Sequence, residues 1–218
     1  MSNQTDTAAT SDDAPDVLVY ADYVCPFCYL GYESFDQYRE GRDGPPVETD
    51  WHPFDLRARE RRPDGTIDDS VETGKDEQYY EQARQNVERL AAEYDVEMDE
   101  PLLKDVDSYD AQRVAWRARE THPEAFGTLH RAIFDALWAD GRDIGDPEIL
   151  DEIAIEAGLP EGFVAETLAD ESSTRQLAAA FERAQQQQIT GVPTFEAGEH
   201  AARGAVPPEH LRRLIEGT

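Results

Sequence analysis

The only two cysteines of this 218-residue chain stand two residues apart, in Cys25-Pro26-Phe27-Cys28. The β-branched run Val17-Leu18-Val19-Tyr20 precedes them and a helix-like stretch, Tyr29 to about Arg39, follows. A strand, a short turn and a helix opening on a dithiol leave few folds open. With the helix starting there, Cys25 falls at the N-cap, Pro26 at the first helical position, where its missing N–H costs nothing, and Cys28 at the third. Cys25 then meets the positive end of the helix dipole and the unpaired first-turn N–H groups, which favour thiolate over thiol. Cys28 begins the stripe Cys28, Gly31, Phe35, Tyr38, which repeats at helical spacing and should face the core. The expectation is an exposed, activated sulfur beside a shielded one, the arrangement of a nucleophile and a resolving thiol.

Two blander readings compete. Zinc needs four ligands, and two would have to come from His52, His122, His130, His200 and His210, none of which form an H-x3-5-H pair. A purely structural disulfide here would close a very short loop and remove little unfolded-state entropy. A reversible dithiol with no metal and no cofactor is the stronger reading.

Charge sets the surroundings. The formal net charge is −28, and all but two of the 20 basic residues, Lys75 and Lys104, are arginine. The acid is spread along the chain, so it reads as a solvated surface and makes nucleic acid an unfavourable partner. At molar salt the Debye length falls to about 3 Å, and a carboxylate-covered surface stops repelling itself. A halophilic cytoplasm fits best. Residues 1–15 are small, polar and acidic, without the basic and apolar segments of a secretory signal, and read as a disordered leader. No apolar run approaches the roughly 18 residues of a membrane span.

The β signals fall at the two ends. Asp16 to Ala21 and Val47 to Phe54 flank the Cys25 to Arg39 helix as a β-α-β unit. Pro193 to Glu196 and His200 to Ala205 read as a hairpin turning near Ala197-Gly198, before a helix from Pro208 to about Ile215. Between them six helices are expected: Tyr79 to Tyr94, Asp107 to Thr121, Pro123 to Ala139, Pro147 to Ala157, Pro160 to Leu168 and Ser172 to Gln188. The fold class is therefore α/β, a central mixed sheet with a large helical insertion. The division expected is 16–64 with 189–218 as one unit, and 65–188 as the insertion.

Four segments carry a family resemblance: Ala21-Asp22-Tyr23-Val24-Cys25-Pro26-Phe27-Cys28-Tyr29-Leu30-Gly31, Asp140-Gly141-Arg142-Asp143-Ile144, Ile189-Thr190-Gly191-Val192-Pro193-Thr194-Phe195 and Gly204-Ala205-Val206-Pro207-Pro208. In these the chain resembles the DsbA-like thioredoxin superfamily, in particular the cytosolic FrnE-type disulfide oxidoreductases. The resemblance implies a thioredoxin-like fold. It also implies a cis Val192–Pro193 bond opposite the dithiol, with Pro193 shaping a substrate platform and Val192 supplying strand-like backbone contacts. Pro26 and Phe27, between the cysteines, would border that platform. Phe27 replaces a tryptophan common in the family, and Ser108-Tyr109 an Asn-Thr pair. The implied partners are protein or small-molecule thiols and disulfides, together with an electron-donating or electron-accepting thiol. Related kappa-type glutathione transferases and 2-hydroxychromene-2-carboxylate isomerases share the architecture, but typically carry serine first and lack the second cysteine.

Other residues invite weaker readings. His52 is either a proton acceptor near Cys28 or a half-buried strand histidine with a local partner. Arg57, Arg59, Arg61 and Arg62 either hold an anionic thiol or offset nearby acid. Gln185 to Gln188 is a polar platform or a solvated helix end, and Tyr23, Tyr29, Trp116 and Trp138 suit packing. The dispersed acid yields a direct expectation: the melting temperature should rise steeply as KCl is increased from about 0.1 M into the molar range. A thermal-shift series in KCl checks this, and a flat profile would speak against salt adaptation.

Overall fold

The computed structural model describes residues 16–62, 65–68, 70–99 and 106–217; the leader expected over 1–15 lies outside them. Strand β1 (Val17–Ala21) leads to helix α1 (Pro26–Glu40) and strand β2 (Thr49–Pro53). Helices α2 (Glu77–Tyr94), α3 (Tyr109–Thr121), α4 (Pro123–Trp138), α5 (Pro147–Glu156), α6 (Phe163–Ala169) and α7 (Glu171–Gln186) follow. The hairpin β3 (Thr194–Ala197) and β4 (His200–Arg203) and helix α8 (Pro208–Glu216) complete the chain. Among the described residues no helix is long and apolar enough to cross a membrane.

The sheet order is β2-β1-β3-β4, with β1 and β2 parallel and the other pairs antiparallel. The expected mixed sheet is present. Flanked on both edges, β1 is apolar at every position and registers Val19 against Trp51 on one side and Phe195 on the other. Its alternate side chains serve two faces. Val17, Val19 and Ala21 join the main core with Phe35, Tyr38 and Leu211, whereas Tyr20 and half-buried Leu18 pack with Ala184 and Ile189 below α7. That main core continues without a break into Val114, Leu129, Ile133, Leu150 and Leu177 of the intervening helices. A third cluster, Leu30 with Val87 and Tyr94, fastens α2 to α1.

The helices start where their caps predict. Asp76, Asp146 and Asp170 accept from the backbone N–H groups of Tyr79, Glu148 and Ser172, so acid that is dispersed in sequence also caps helices. Expected and observed boundaries differ mostly by one or two residues, the widest gap being at α6, which begins at Phe163 because Gly162 at its N-cap takes φ 82°.

Gly31 sets the distance between α1 and the strand hairpin. A Cβ built on it would lie 3.0 Å from Pro193 Cγ and 3.2 Å from Phe195 Cζ. Gly31→Ala should gain up to about 1 kcal/mol of helix propensity but lose about 1–3 kcal/mol to overpacking against a ring and a proline. The expected net result is destabilisation, measured by denaturant midpoint; an unchanged or raised midpoint would show that the hairpin yields freely.

Candidate active site

Cys25 is the N-cap of α1 in extended conformation, φ −94° and ψ 110°, and Pro26 occupies the first turn. The Cys25 carbonyl accepts from the N–H groups of Cys28 (2.9 Å) and Tyr29 (3.3 Å), while its own N–H donates to the Asp22 carbonyl at 3.1 Å. No side chain caps the helix, and no acidic residue stands in its first turn despite the acidity of the chain. The first turn of α1 thus brings no carboxylate of its own to the positive helix end at Cys25. The Val192–Pro193 bond is cis, and Cys25 Sγ lies 3.7 Å from the Val192 carbonyl oxygen. Pro193 and Pro26 are buried, Phe27 and Val192 half-buried, so all six residues singled out in the sequence meet at one place.

The expectation of an exposed Cys25 needs correction. Cys25 is only 3% exposed and Cys28 is fully buried, both as free thiols. The segment ending at Pro193 brings the Val192 carbonyl against Cys25 Sγ, so both sulfurs are covered. Burial pushes the Cys28 thiol well above its ordinary range; the adjacent Cys25 sulfur and the Asp22 charge push the same way, against one Asp22 backbone contact.

Asp22 is the residue that motif reading passed over. It is 1% exposed, and its carboxylate accepts from Leu56 N–H (2.9 Å), Val24 N–H (3.3 Å), the Gln112 amide (3.2 Å) and the Ser108 hydroxyl. All four donors are neutral. No ion pair to Asp22 is present among the described residues; Arg61 grips Asp55 and Asp107 with paired bonds of 2.6–3.0 Å. Burial outweighs the donors and lifts the Asp22 pKa to about 7. The sequence did hold a signal: an aspartate right after an apolar central strand, three residues before Cys25.

A DSBA-like thioredoxin domain model matches residues 16–216. The chain belongs to that family. It is 29% identical over 203 residues to the uncharacterized protein YwbO of Bacillus subtilis, covering 91% of this chain and 94% of that protein. The crystal structure of a probable DsbA oxidoreductase, SCO1869 of Streptomyces coelicolor, matches with TM-score 0.72 and 27% identity over 92% of this chain and 89% of that one. A solved 2-hydroxychromene-2-carboxylate isomerase shares the fold, with TM-score 0.70 and 17% identity over 92% and 93% of the two chains.

Around this DSBA-like dithiol the weaker candidates sort themselves out. His52 packs against the Tyr20 and Trp116 rings, with Nδ1 3.1 Å from the Pro53 carbonyl and its pKa lowered by burial, which is the bland reading. Of the arginine cluster, Arg57 pairs with Glu60, Arg61 with Asp55 and Asp107, and Arg62 with Asp68. These cations offset acid. Gln187 receives the Tyr20 hydroxyl and so belongs to the packing under α7. Trp138 Nε1 donates to the Tyr23 carbonyl at 2.8 Å, fixing the turn before Cys25.

Asp22 makes stability depend on pH in a definite direction. Its pKa rises from 3.8 unfolded to about 7 folded, so the folded chain holds the proton more tightly. The stability it contributes is complete below about pH 4 and is lost as pH climbs through about 7, a change of at most about 4 kcal/mol. Asp22→Asn should remove that loss. The difference in denaturant midpoint between wild type and variant, followed from acid to pH 8, should move in favour of the variant; a constant difference would show that folding leaves the Asp22 pKa unchanged.

Proposed function

We propose that this protein is a thiol:disulfide oxidoreductase whose working pair is Cys25 and Cys28. The observation that carries the reading is the position of Cys25 Sγ, at the uncapped N-terminus of α1 and 3.7 Å from the Val192 carbonyl beside a cis proline. The Cys25 thiolate attacks one sulfur of a substrate disulfide; a Cys25–substrate bond forms and the other substrate sulfur leaves as a thiolate that takes up a proton. Cys28, having lost its proton, attacks Cys25 Sγ and releases the second substrate thiol. One disulfide is reduced and one, Cys25–Cys28, is formed; run backwards, the same steps oxidise a dithiol. Asp22, with a pKa near neutrality and its charge felt at Cys28, suits the removal of the Cys28 proton.

Substrates are protein or small-molecule thiols and disulfides, held along the Val192–Pro193 backbone and bordered by Pro26 and Phe27. A second thiol pair acting as electron donor or acceptor completes the cycle. We further read residues 16–64 and 189–218 as the unit that carries the chemistry and 65–188 as a helical insertion, and place the protein with the FrnE-type enzymes of a salt-rich cytoplasm. The isomerase reading is disfavoured by the second thiol at Cys28, buried beside the first. The zinc reading lacks ligands: among the described residues no three His, Cys, Asp or Glu side chains are grouped to hold a metal ion.

Cys25→Ser should reduce exchange with a disulfide-bonded peptide to the uncatalysed background. Cys28→Ser should still react once and then accumulate as a mixed disulfide on Cys25, because the resolving sulfur is gone. Intact-mass spectrometry with peptide mapping reads both. Adduct on Cys28 in the Cys25→Ser protein, with none on Cys25 in the Cys28→Ser protein, would reverse the roles.

A further inference from the structure

Helix α3 sends two buried polar side chains toward the dithiol, and both give up nearer partners to do so. Ser108 stands at the N-cap of α3, where a serine ordinarily accepts a first-turn N–H, yet its side chain makes no cap bond. The Tyr109 N–H turns to Asp107 Oδ1 at 3.2 Å, and the Ser108 hydroxyl reaches Asp22 Oδ1, 86 positions away in sequence. Gln112, one turn further on, donates from Nε2 to the same Asp22 oxygen at 3.2 Å, to the Phe54 carbonyl at 3.2 Å and to Ser108 Oγ at 3.1 Å. A carboxylate and a carbonyl both need donors, which fixes the amide with its nitrogen toward Asp22. Gln112 Oε1 is then left buried with no hydrogen-bond partner among the described residues. Ser108 is 1% exposed and Gln112 fully buried.

A forgone cap and an orphaned amide oxygen both cost stability, and neither is returned within α3. What the two side chains gain is the Asp22 carboxylate. With Gln112 donating to Ser108 Oγ, the serine hydrogen is free to point at ionised Asp22, so both donors favour its charged form. The titratable groups facing Asp22 work the other way. Asp55, after β2, opposes its charge, Cys28 on α1 feels that charge, and so does the buried Tyr23 phenol. The remaining donors, Val24 and Leu56 N–H, belong to the backbone. Ser108 and Gln112 are thus the side chains that counter burial at Asp22.

We infer, resting on the proposed role of Asp22 as acceptor of the Cys28 proton, that Ser108 and Gln112 are positioning residues: they hold Asp22 as a carboxylate beside Cys28, and so α3 sets the pH range in which Cys28 resolves the mixed disulfide. In that step the Cys28 proton passes to Asp22, a Cys28–Cys25 bond forms, and the Cys25–substrate bond breaks. The substrate sulfur leaves with the electron pair.

The test mixes an excess of the reduced full chain with dithiobis(nitrobenzoate), whose nitrothiobenzoate product is coloured, and follows absorbance by stopped flow from about pH 5 to about pH 9. The first release reports attack by Cys25 and the second reports Cys28 resolving the adduct. In the wild type the second release should quicken as pH climbs through neutrality, and Asp22→Asn should remove that rise. Ser108→Ala deletes a donor to the carboxylate, so the rise should move up by about one pH unit. Ser108→Thr keeps a hydroxyl and should stay with the wild type. If Ser108→Ala does not fold, Gln112→Leu, which deletes the other α3 donor, must move the rise in the same direction. No second release from the wild type would overturn the thiol reading itself. A second release whose pH dependence Ser108→Ala or Gln112→Leu leaves unmoved, or Ser108→Thr moves equally, overturns the positioning role alone.

Discussion

The contact between Cys25 Sγ and the Val192 carbonyl joins positions 167 residues apart, and most of the architecture exists to hold it. Three features converge on it. The central position of β1 fixes where α1 begins, because β2 and β3 pin it from both sides. The antiparallel pairing of β3 with β1 fixes where the chain leading into β3 must pass. Gly31, one turn below Cys28 on the helix face that meets the hairpin, lets Pro193 and Phe195 approach so closely that a Cβ there would lie 3.0–3.2 Å from them. Closing so long a loop is tolerable because the entropy grows only with the logarithm of its length. The continuous apolar core through the helices between β2 and β3 more than offsets it.

Beside that contact sits an electrostatic arrangement built from shortage. Arg61 grips Asp55 and Asp107, each with paired bonds. Asp22, which feels the charge of Asp55, is left to neutral donors. Four such donors would ordinarily favour a carboxylate, yet burial without a cation wins and brings its titration close to neutrality. The carboxyl thus titrates near neutrality beside a thiol whose own pKa burial raises, with the Asp22 charge pushing the thiol the same way. The charge of Asp55 adds to the upward push on Asp22.

What could be read in advance follows from the range of the forces involved. Strand and helix placement was legible because apolar periodicity, Pro at first turns and Asp at caps are local signals, and the expected helices α2 to α7 all appear. Cys25 at the N-cap and the Cys28, Gly31, Phe35, Tyr38 stripe were legible for the same reason, and all four stripe residues are buried. Proximity of Val192 and Pro193 to Cys25 was reachable only through family resemblance, since nothing local in Thr190-Gly191-Val192-Pro193 encodes what it will touch. The burial of Cys25 was misjudged because exposure depends on that same distant loop. Asp22 was passed over because its chemistry is made by packing: its four donors arrive from separate segments of the chain.

The charge distribution links these sites to the surface. Nearly all the cations of this chain are arginine, and several act as multidentate ties: buried Arg113 holds Ser173 and the Thr167 and Leu168 carbonyls, while at the surface Arg119 holds Asp50 and Arg131 ties α1 to α4 through Glu33 and Asp36. A planar guanidinium makes such bonds where a lysine ammonium could not. The excess carboxylate is then left outside, where salt screens it. Interior pairs are screened far less than exposed charges, so raising ionic strength relieves the surface repulsion while leaving the buried ties of Arg61 and Arg113 largely intact. The two populations of charge respond differently to the same change, and that difference is the physical ground for expecting the fold to tighten as salt is added.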